Sequence, residues 1–179
     1  GASEEARKLH VFARTSAFTK TAYDPYVNIL RTTTEAFSGV VGGVDAMEVA
    51  PLDEPFGSSE ELTRRIARNI QVMMQEEFHL TQPVDPAGGS WYVETLTAQL
   101  AESIWAYFQN IERKGGIESV ILSGTLQDDV AATLAQRFKN LDTRADRAVG
   151  VNMYANVLEQ KLDRPAPKAV PAPAGPAVV

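Results

Sequence analysis

The chain has 179 residues, 44% of them apolar and 22% charged, with a net charge of −6 and no cysteine. This length and composition fit one globular domain with a sizeable core. The acidic balance argues against a nucleic-acid partner, which needs a basic face, and the lack of thiols excludes a disulfide scaffold, a thiolate metal site and a cysteine nucleophile. With no signal-like N-terminus and no long apolar run, the default is a soluble, cytoplasmic protein with no membrane partner. Gly1-Ala2-Ser3 could be a remnant of preparation, which leaves the natural start open.

Ser3 to Lys8 is charged and reads as the tail of a helix or a lead-in. Leu9 to Ala13 is a short apolar run of strand length, and the hydroxyl-rich stretch Arg14 to Thr21 is the loop that follows it. Asp24-Pro25 has the chemistry of a helix start, with Asp as N-cap and Pro at the first helical position. Tyr26, Ile29, Leu30, Thr33 and Phe37 then fall near one face of a helix that runs to about Ser38 and ends at Gly39, Gly42 and Gly43. Met47 to Ala50 is a second short strand. Pro51 stops its ladder, and the loop carries Asp53 and Glu54 before Pro55 and Gly57. Ser58-Ser59-Glu60-Glu61 has the pattern of a capping box with Ser58 as cap. Leu62, Ile66, Ile70 and Met74 make an amphipathic helix after it, whose other face carries Arg64, Arg65, Arg68, Glu76 and Glu77 and reads as solvent or subunit contact.

The third connection, Gln82 to Tyr92, is rich in proline and glycine. A long helix follows, with Val93, Leu96, Leu100, Ile104, Phe108 and Ile111 on one stripe and Gly115-Gly116 as its stop. Further helices are expected near Ile117–Leu122 and from Thr125, the latter with the stripe Val130, Leu134, Phe138 and Leu141. Gly150 to Tyr154 reads as a short strand or turn. From Arg164 the Pro- and Ala-rich run has the composition of an extended linker. The alternation of strands and helices implies parallel strands with helical crossovers. Three such units are too few to close a barrel of eight. The expected fold is therefore α/β, the C-terminal three βα units of a (β/α)8 TIM barrel plus extra C-terminal helices, incomplete in this chain. Three strands alone would leave two open edges.

The chemistry of individual residues leaves several readings open. Gly88-Gly89-Ser90 precedes a helix but lacks the spacing and lysine of a phosphate loop. It is either a tight turn or a set of amides that could meet an anion. His10 lies in an apolar run, as a core histidine would, and His79 ends a helix, where a cation suits the dipole. Neither has an acid at ligand spacing, so no metal site or Ser–His–Asp triad is expected. Asp53 and Glu54 are adjacent, and neighbouring side chains on an extended loop diverge. They are therefore a solvated pair, a helix cap, or acceptors for a sugar or nucleotide hydroxyl. Arg14, Thr15, Ser16 and Lys20 could hold a phosphate by charge-assisted bonds.

Taken together, a spaced set of residues resembles the methylmalonyl-CoA mutase family. The set is Thr15-Ser16, Asp24-Pro25-Tyr26-Val27-Asn28-Ile29-Leu30-Arg31-Thr32, Gly42-Gly43, Ala67-Arg68-Asn69 with Gln71 and Glu76-Glu77. It continues with Asp85-Pro86-Ala87-Gly88-Gly89-Ser90-Trp91, Glu94-Thr95-Leu96-Thr97, Glu112, Gly115-Gly116 and Gly150-Val151-Asn152 with Tyr154. The resemblance implies a complex that uses adenosylcobalamin to rearrange acyl-CoA carbon skeletons of the methylmalonyl-CoA/succinyl-CoA class by a radical route. The acyl-CoA of such a complex threads a TIM barrel, and a separate domain binds the cobalamin. Residues 1–162 would then be the C-terminal part of the barrel domain. Residues 163–179 would be a linker toward a missing cobalamin-type domain.

The departures from the family pattern shape the expectation. Where catalytic members carry Gln-Thr-Ser-Gly-Trp, this chain has Arg14-Thr15-Ser16-Ala17-Phe18. Where they carry Thr-Gln-Ser-Leu-His-Thr-Asn, it has Val44-Asp45-Ala46-Met47-Glu48-Val49-Ala50. The resemblance implies cofactor-facing positions at Glu54, Arg14 and Ala17, Glu54 at the adenosyl ribose. It also implies CoA-contact positions at Asp45 and Ala46 whose contacts are lost, since Asp45 would set a negative charge near an anionic ligand. No catalytic residue and no metal ligand is expected in this chain, and no Asp-x-His-x-x-Gly cobalamin motif occurs in it. The chain thus resembles the family's small, non-catalytic subunit. Its expected partner is the catalytic large subunit or the missing barrel half, with acyl-CoA reached only through the complex. The alternatives are a fragment of a divergent catalytic mutase and a non-enzymatic assembly or binding module.

Overall fold

A computed structural model describes residues 3–5, 8–160 and 162–163. Gly1, Ala2 and the Pro- and Ala-rich stretch from 164 lie outside the described residues. The chain divides into two compact units, the first holding two strands, two helices and the stretch from Asn156, the second holding three helices.

In the first unit, β1 (Phe12–Arg14) and β2 (Ala46–Glu48) pair in parallel, with Phe12 opposite Ala46, Ala13 opposite Met47 and Arg14 opposite Glu48. Helix α1 (Val27–Val41) makes the crossover between them and α2 (Glu61–Glu76) follows β2. This is a βαβ unit, as the alternation predicts. Its strands alternate as a half-buried sheet must. Ala13 and Met47 are half-buried, while Phe12, Arg14, Ala46 and Glu48 lie on the exposed face. The core is the cluster Ala36, Val49, Ala67, Ile70 and Met74, with Ile29, Val40, Met47, Ile66 and Leu80 packed on it. Helix α1 approaches β2 closely at Gly39, where an added Cβ would lie 2.0 Å from Met47 Cε.

Several expectations need correction. The expected third strand unit is not formed. Among the described residues the sheet has two strands, and 82–90 is turn and loop. Pro83 and Pro86 cannot donate to a ladder, and Gly88 and Ser90 close local turns onto Asp85 O (3.2 Å) and Ala87 O (3.2 Å). Helix α1 starts at Val27, two residues after the expected first position Pro25, because Asp24 takes φ 48 and the next amides close i→i+3 turns on Asp24, Pro25 and Tyr26. Its buried face is Asn28, Thr32 and Ala36, not the larger stripe, since Tyr26, Leu30 and Phe37 are exposed. Ser58 does not cap α2. The helix begins at Glu61 with Glu60 as N-cap residue, and Asp53 Oδ2, arriving from the preceding turn, accepts from Glu60 N at 3.3 Å. His10 is not a core residue, for its side chain is 89% exposed.

The second unit is α3 (Trp91–Arg113), α4 (Gly116–Leu122) and α5 (Thr125–Asp142), in contact in sequence order. Gly115 and Gly116 take φ of 99° and 86°, the left-handed conformation that ends α3 where the sequence predicts. Asn152 ties the following turn to α5. Its Nδ2 donates to Leu141 O (2.8 Å) and Asp146 O (2.9 Å), and its Oδ1 accepts from Ala148 N (2.8 Å). Gly150 to Tyr154 is a turn with one bridge, Val149 to Met153. No helix among the described residues is long and apolar enough to cross a membrane.

Candidate functional site

The C-terminal ends of parallel strands are where α/β folds set their ligand loops. Here both strand ends carry charged residues in register. Arg14 closes β1 and Glu48 closes β2, and Arg14 Nε donates to Glu48 Oε1 at 3.0 Å. The same guanidinium donates through Nη2 to Glu54 Oε1 on the 3-10 turn Glu54–Phe56. These bonds, to Glu48 first and then Glu54, raise the guanidinium pKa above its ordinary value. The second carboxylate oxygen, Glu54 Oε2, is buried and accepts no hydrogen bond. Beneath the charges the ladder continues, as Thr15 N donates to Glu48 O (3.1 Å) and buried Thr15 Oγ1 accepts from Ala50 N (2.8 Å).

A second network holds the loop that leaves β1. Glu35 on α1 accepts from Ser16 N (3.1 Å) and Lys20 Nζ (2.9 Å) through Oε2 and from Thr19 Oγ1 through Oε1. The Lys20 side chain is fully buried. A third network is centred on fully buried Asn28. Its Oδ1 accepts from Thr21 N (3.0 Å) and Arg31 Nη1 (2.7 Å), and its Nδ2 donates to Thr21 O (3.0 Å) and Leu52 O (3.1 Å). Burial pushes the Arg31 guanidinium pKa down, against the attraction of Asp24 and Glu35. Asn28 thus joins both loops, the one after β1 through Thr21 and the one after β2 through Leu52.

The structure brings Arg14 and Glu54 together and keeps the other expected positions apart. Ala17 opens the 3-10 turn Ala17–Thr19. Asp45 and Ala46 lie at the start of β2, the opposite end from Glu48. Asp45 Oδ2 accepts from Val11 N at 2.7 Å and Oδ1 lies 3.7 Å from His10 Nδ1, so this carboxylate staples the two strand starts. Asp45 and Ala46 also line a cavity of about 350 Å³ with Val40, Met47, Met74 and Leu80. Asp53 and Glu54 diverge, Asp53 inward to cap α2 and Glu54 toward Arg14.

Lys20 and Arg14 are committed to carboxylates, so they do not form the phosphate cradle that their sequence order allowed. In the Gly88–Ser90 turn, Gly89 N donates to Glu94 Oε1 at 3.0 Å, which fills the amide an anion would seek. Glu35, Glu48 and Asn28 do not stand out in the sequence as site residues. Only the parallel register, which sets Glu48 beside Arg14, could have signalled one of them.

A parallel βαβ unit with charged residues at its C-terminal strand ends defines a mixed α/β protein with a ligand-type strand end. A sequence profile described as methylmalonyl-CoA mutase matches residues 1–171, and the chain belongs to that family. It is 44% identical over 167 residues to the methylmalonyl-CoA mutase small subunit of Streptomyces virginiae, covering 93% of this chain and 27% of that protein. It is 37% identical over 160 residues to the small subunit of Porphyromonas gingivalis, covering 89% and 26%. A methylmalonyl-CoA mutase of Cereibacter sphaeroides is 38% identical over 155 residues, covering 87% and 22%. The chain spans about a quarter of the length of these curated relatives.

The family is generally cobalamin-dependent, so the donor set bears on the fit. Among the described residues no group of three or more His, Asp or Glu side chains could hold a metal ion. Of the histidines, His10 is exposed beside Asp45, and His79 follows α2 with φ 54. Among the described residues, two buried carboxylate oxygens, Asp53 Oδ1 and Glu54 Oε2, accept no hydrogen bond.

Proposed function

We propose that this chain is the C-terminal barrel part, residues 1–162, of the small, non-catalytic subunit of a cytoplasmic methylmalonyl-CoA mutase-type complex. Residues 163–179 lead from it toward a cobalamin-type domain. The subunit supports a catalytic large subunit, which carries the adenosylcobalamin and the radical isomerisation of the acyl-CoA. The observation that carries this reading is the engagement of Glu48 and Glu54 by Arg14. The strand end engages both carboxylates with the chain's own cation, and Glu54 keeps one oxygen, Oε2, without a hydrogen bond. The small-subunit names of the Streptomyces and Porphyromonas relatives support it. On this reading Arg14, Ala17 and Glu54 are inherited cofactor-facing positions, and Asp45 and Ala46 have exchanged CoA contact for a structural staple.

A second reading, a divergent catalytic mutase, is favoured by the buried acceptor Glu54 Oε2 and by the similarity to the Cereibacter protein, whose name carries no subunit label. Co-expression separates the two. The protein carrying these residues, tagged and purified with a catalytic large subunit, should form a 1:1 complex in which only the pair isomerises methylmalonyl-CoA. Turnover by this protein alone with added adenosylcobalamin would establish the second reading.

A further inference from the structure

The turn after β2 has little backbone bonding of its own. Pro51 and Pro55 have no N–H, and its internal bonds are Glu54 N to Pro51 O (3.3 Å) and Phe56 N to Asp53 O (3.0 Å). Asp53 accepts from Glu60 N, Asn28 ties Leu52 O to α1, and Glu54 ties the turn to Arg14 at the strand end. We infer that Arg14 is a latch: by gripping Glu48 on β2 and Glu54 on the turn at once, it holds the ligand end of the strand pair shut without a ligand. The inference rests on this chain's own contacts and goes beyond the subunit reading, holding whichever catalytic history is correct.

The geometry calls for a guanidinium. Arg14 uses Nε for one carboxylate and Nη2 for the other, a fork that a lysine ammonium cannot reproduce. Removing the fork would leave two carboxylates, drawn to the same spot, repelling each other across a half-exposed gap. The loop after β1 has a fastening of its own, Glu35 from α1, in addition to the Asn28 amide that joins both loops, so Glu35 still holds it when Arg14 is lost. Loss of the Arg14 latch should therefore be felt after β2 and not after β1. Mobile loops are what ligand sites draw on for closure, and a permanently fastened pair makes a rigid support.

Hydrogen exchange resolved by residue tests this in the protein carrying the chain. In Arg14→Met, the amides of Glu54 and Phe56 should exchange about tenfold faster, with Lys20 N unchanged. Arg14→Lys should restore only part of the protection, and methylguanidinium added to Arg14→Met should restore more of it while leaving wild type unaffected. Should Arg14→Met not fold, Glu54→Gln, which keeps the Arg14–Glu48 pair, should loosen the same two amides. Unchanged exchange at Glu54 and Phe56, or an equal rise in both loops, would overturn the latch.

Discussion

Glu35→Ala is expected to cost about 3 kcal/mol of folding stability, the size of loss seen when one member of a buried pair leaves the other's charge behind. The stranded group is the Lys20 ammonium, whose side chain is fully buried and whose remaining side-chain partner is the neighbouring Thr19 hydroxyl. Ser16 N loses its acceptor in the same step, and Thr19 Oγ1 keeps only the Ser16 carbonyl, so the loop 15–20 should loosen with the fold. Urea denaturation of wild type and variant gives the difference directly. Removing both charges should be milder than removing one. Lys20→Met with Glu35→Met, two long apolar side chains in place of the pair, should recover most of the loss. If the double variant is as unstable as Glu35→Ala, the cost lies in the Ser16 and Thr19 bonds rather than in the buried charge.

Asn28→Ala is expected to cost about 4 kcal/mol, because several groups lose partners together and each unsatisfied buried group costs about 1–3 kcal/mol. Thr21 N, Thr21 O and Leu52 O all bond to this one amide, and Arg31 Nη1 bonds to its oxygen. Asn28 is fully buried, so water does not replace the side chain without opening the packing around it. Asn28→Asp separates the two sides of the amide. The Oδ1 contacts survive in it, while Thr21 O and Leu52 O meet a second acceptor in place of a donor. Thermal melts should rank wild type above Asn28→Asp, with Asn28→Ala lowest or equal to it. A loss below about 1 kcal/mol for Asn28→Ala would mean that Asn28 is not the hub that joins the two strand-end loops.

What the sequence made readable was local. Gly115-Gly116 marks the end of α3, and α4 and α5 occur where Ile117–Leu122 and Thr125 place them. Those signals depend on turn conformation and helical period, which act within a few residues. The misread elements depended on distant partners. Asp53 reaches Glu60 N, the amide of the residue before α2, from seven positions earlier, a contact that the nearer Ser58 pattern does not signal. The buried stripe of α1 is Asn28, Thr32 and Ala36, chosen by hydrogen bonds and close approach to β2 rather than by hydrophobicity. The third strand rests on alternation alone, and Pro83 and Pro86 in that stretch cannot donate to a ladder. At the site, Arg14 and Glu54 were readable as a pair of positions only through the family resemblance. Their direct contact, and the part of Glu48 in it, follow from the register of β1 against β2, which no single stretch of sequence encodes.

The cobalamin content of the proposed two-subunit complex tests most directly the proposal that the protein carrying this chain is non-catalytic. Corrinoid absorbance against subunit-resolved protein quantitation should give one cobalamin per pair, all of it retained by the large subunit when the two are separated. Two cobalamins per pair, or a corrinoid that stays with the protein carrying Arg14 and Glu54, would contradict a non-catalytic role for it.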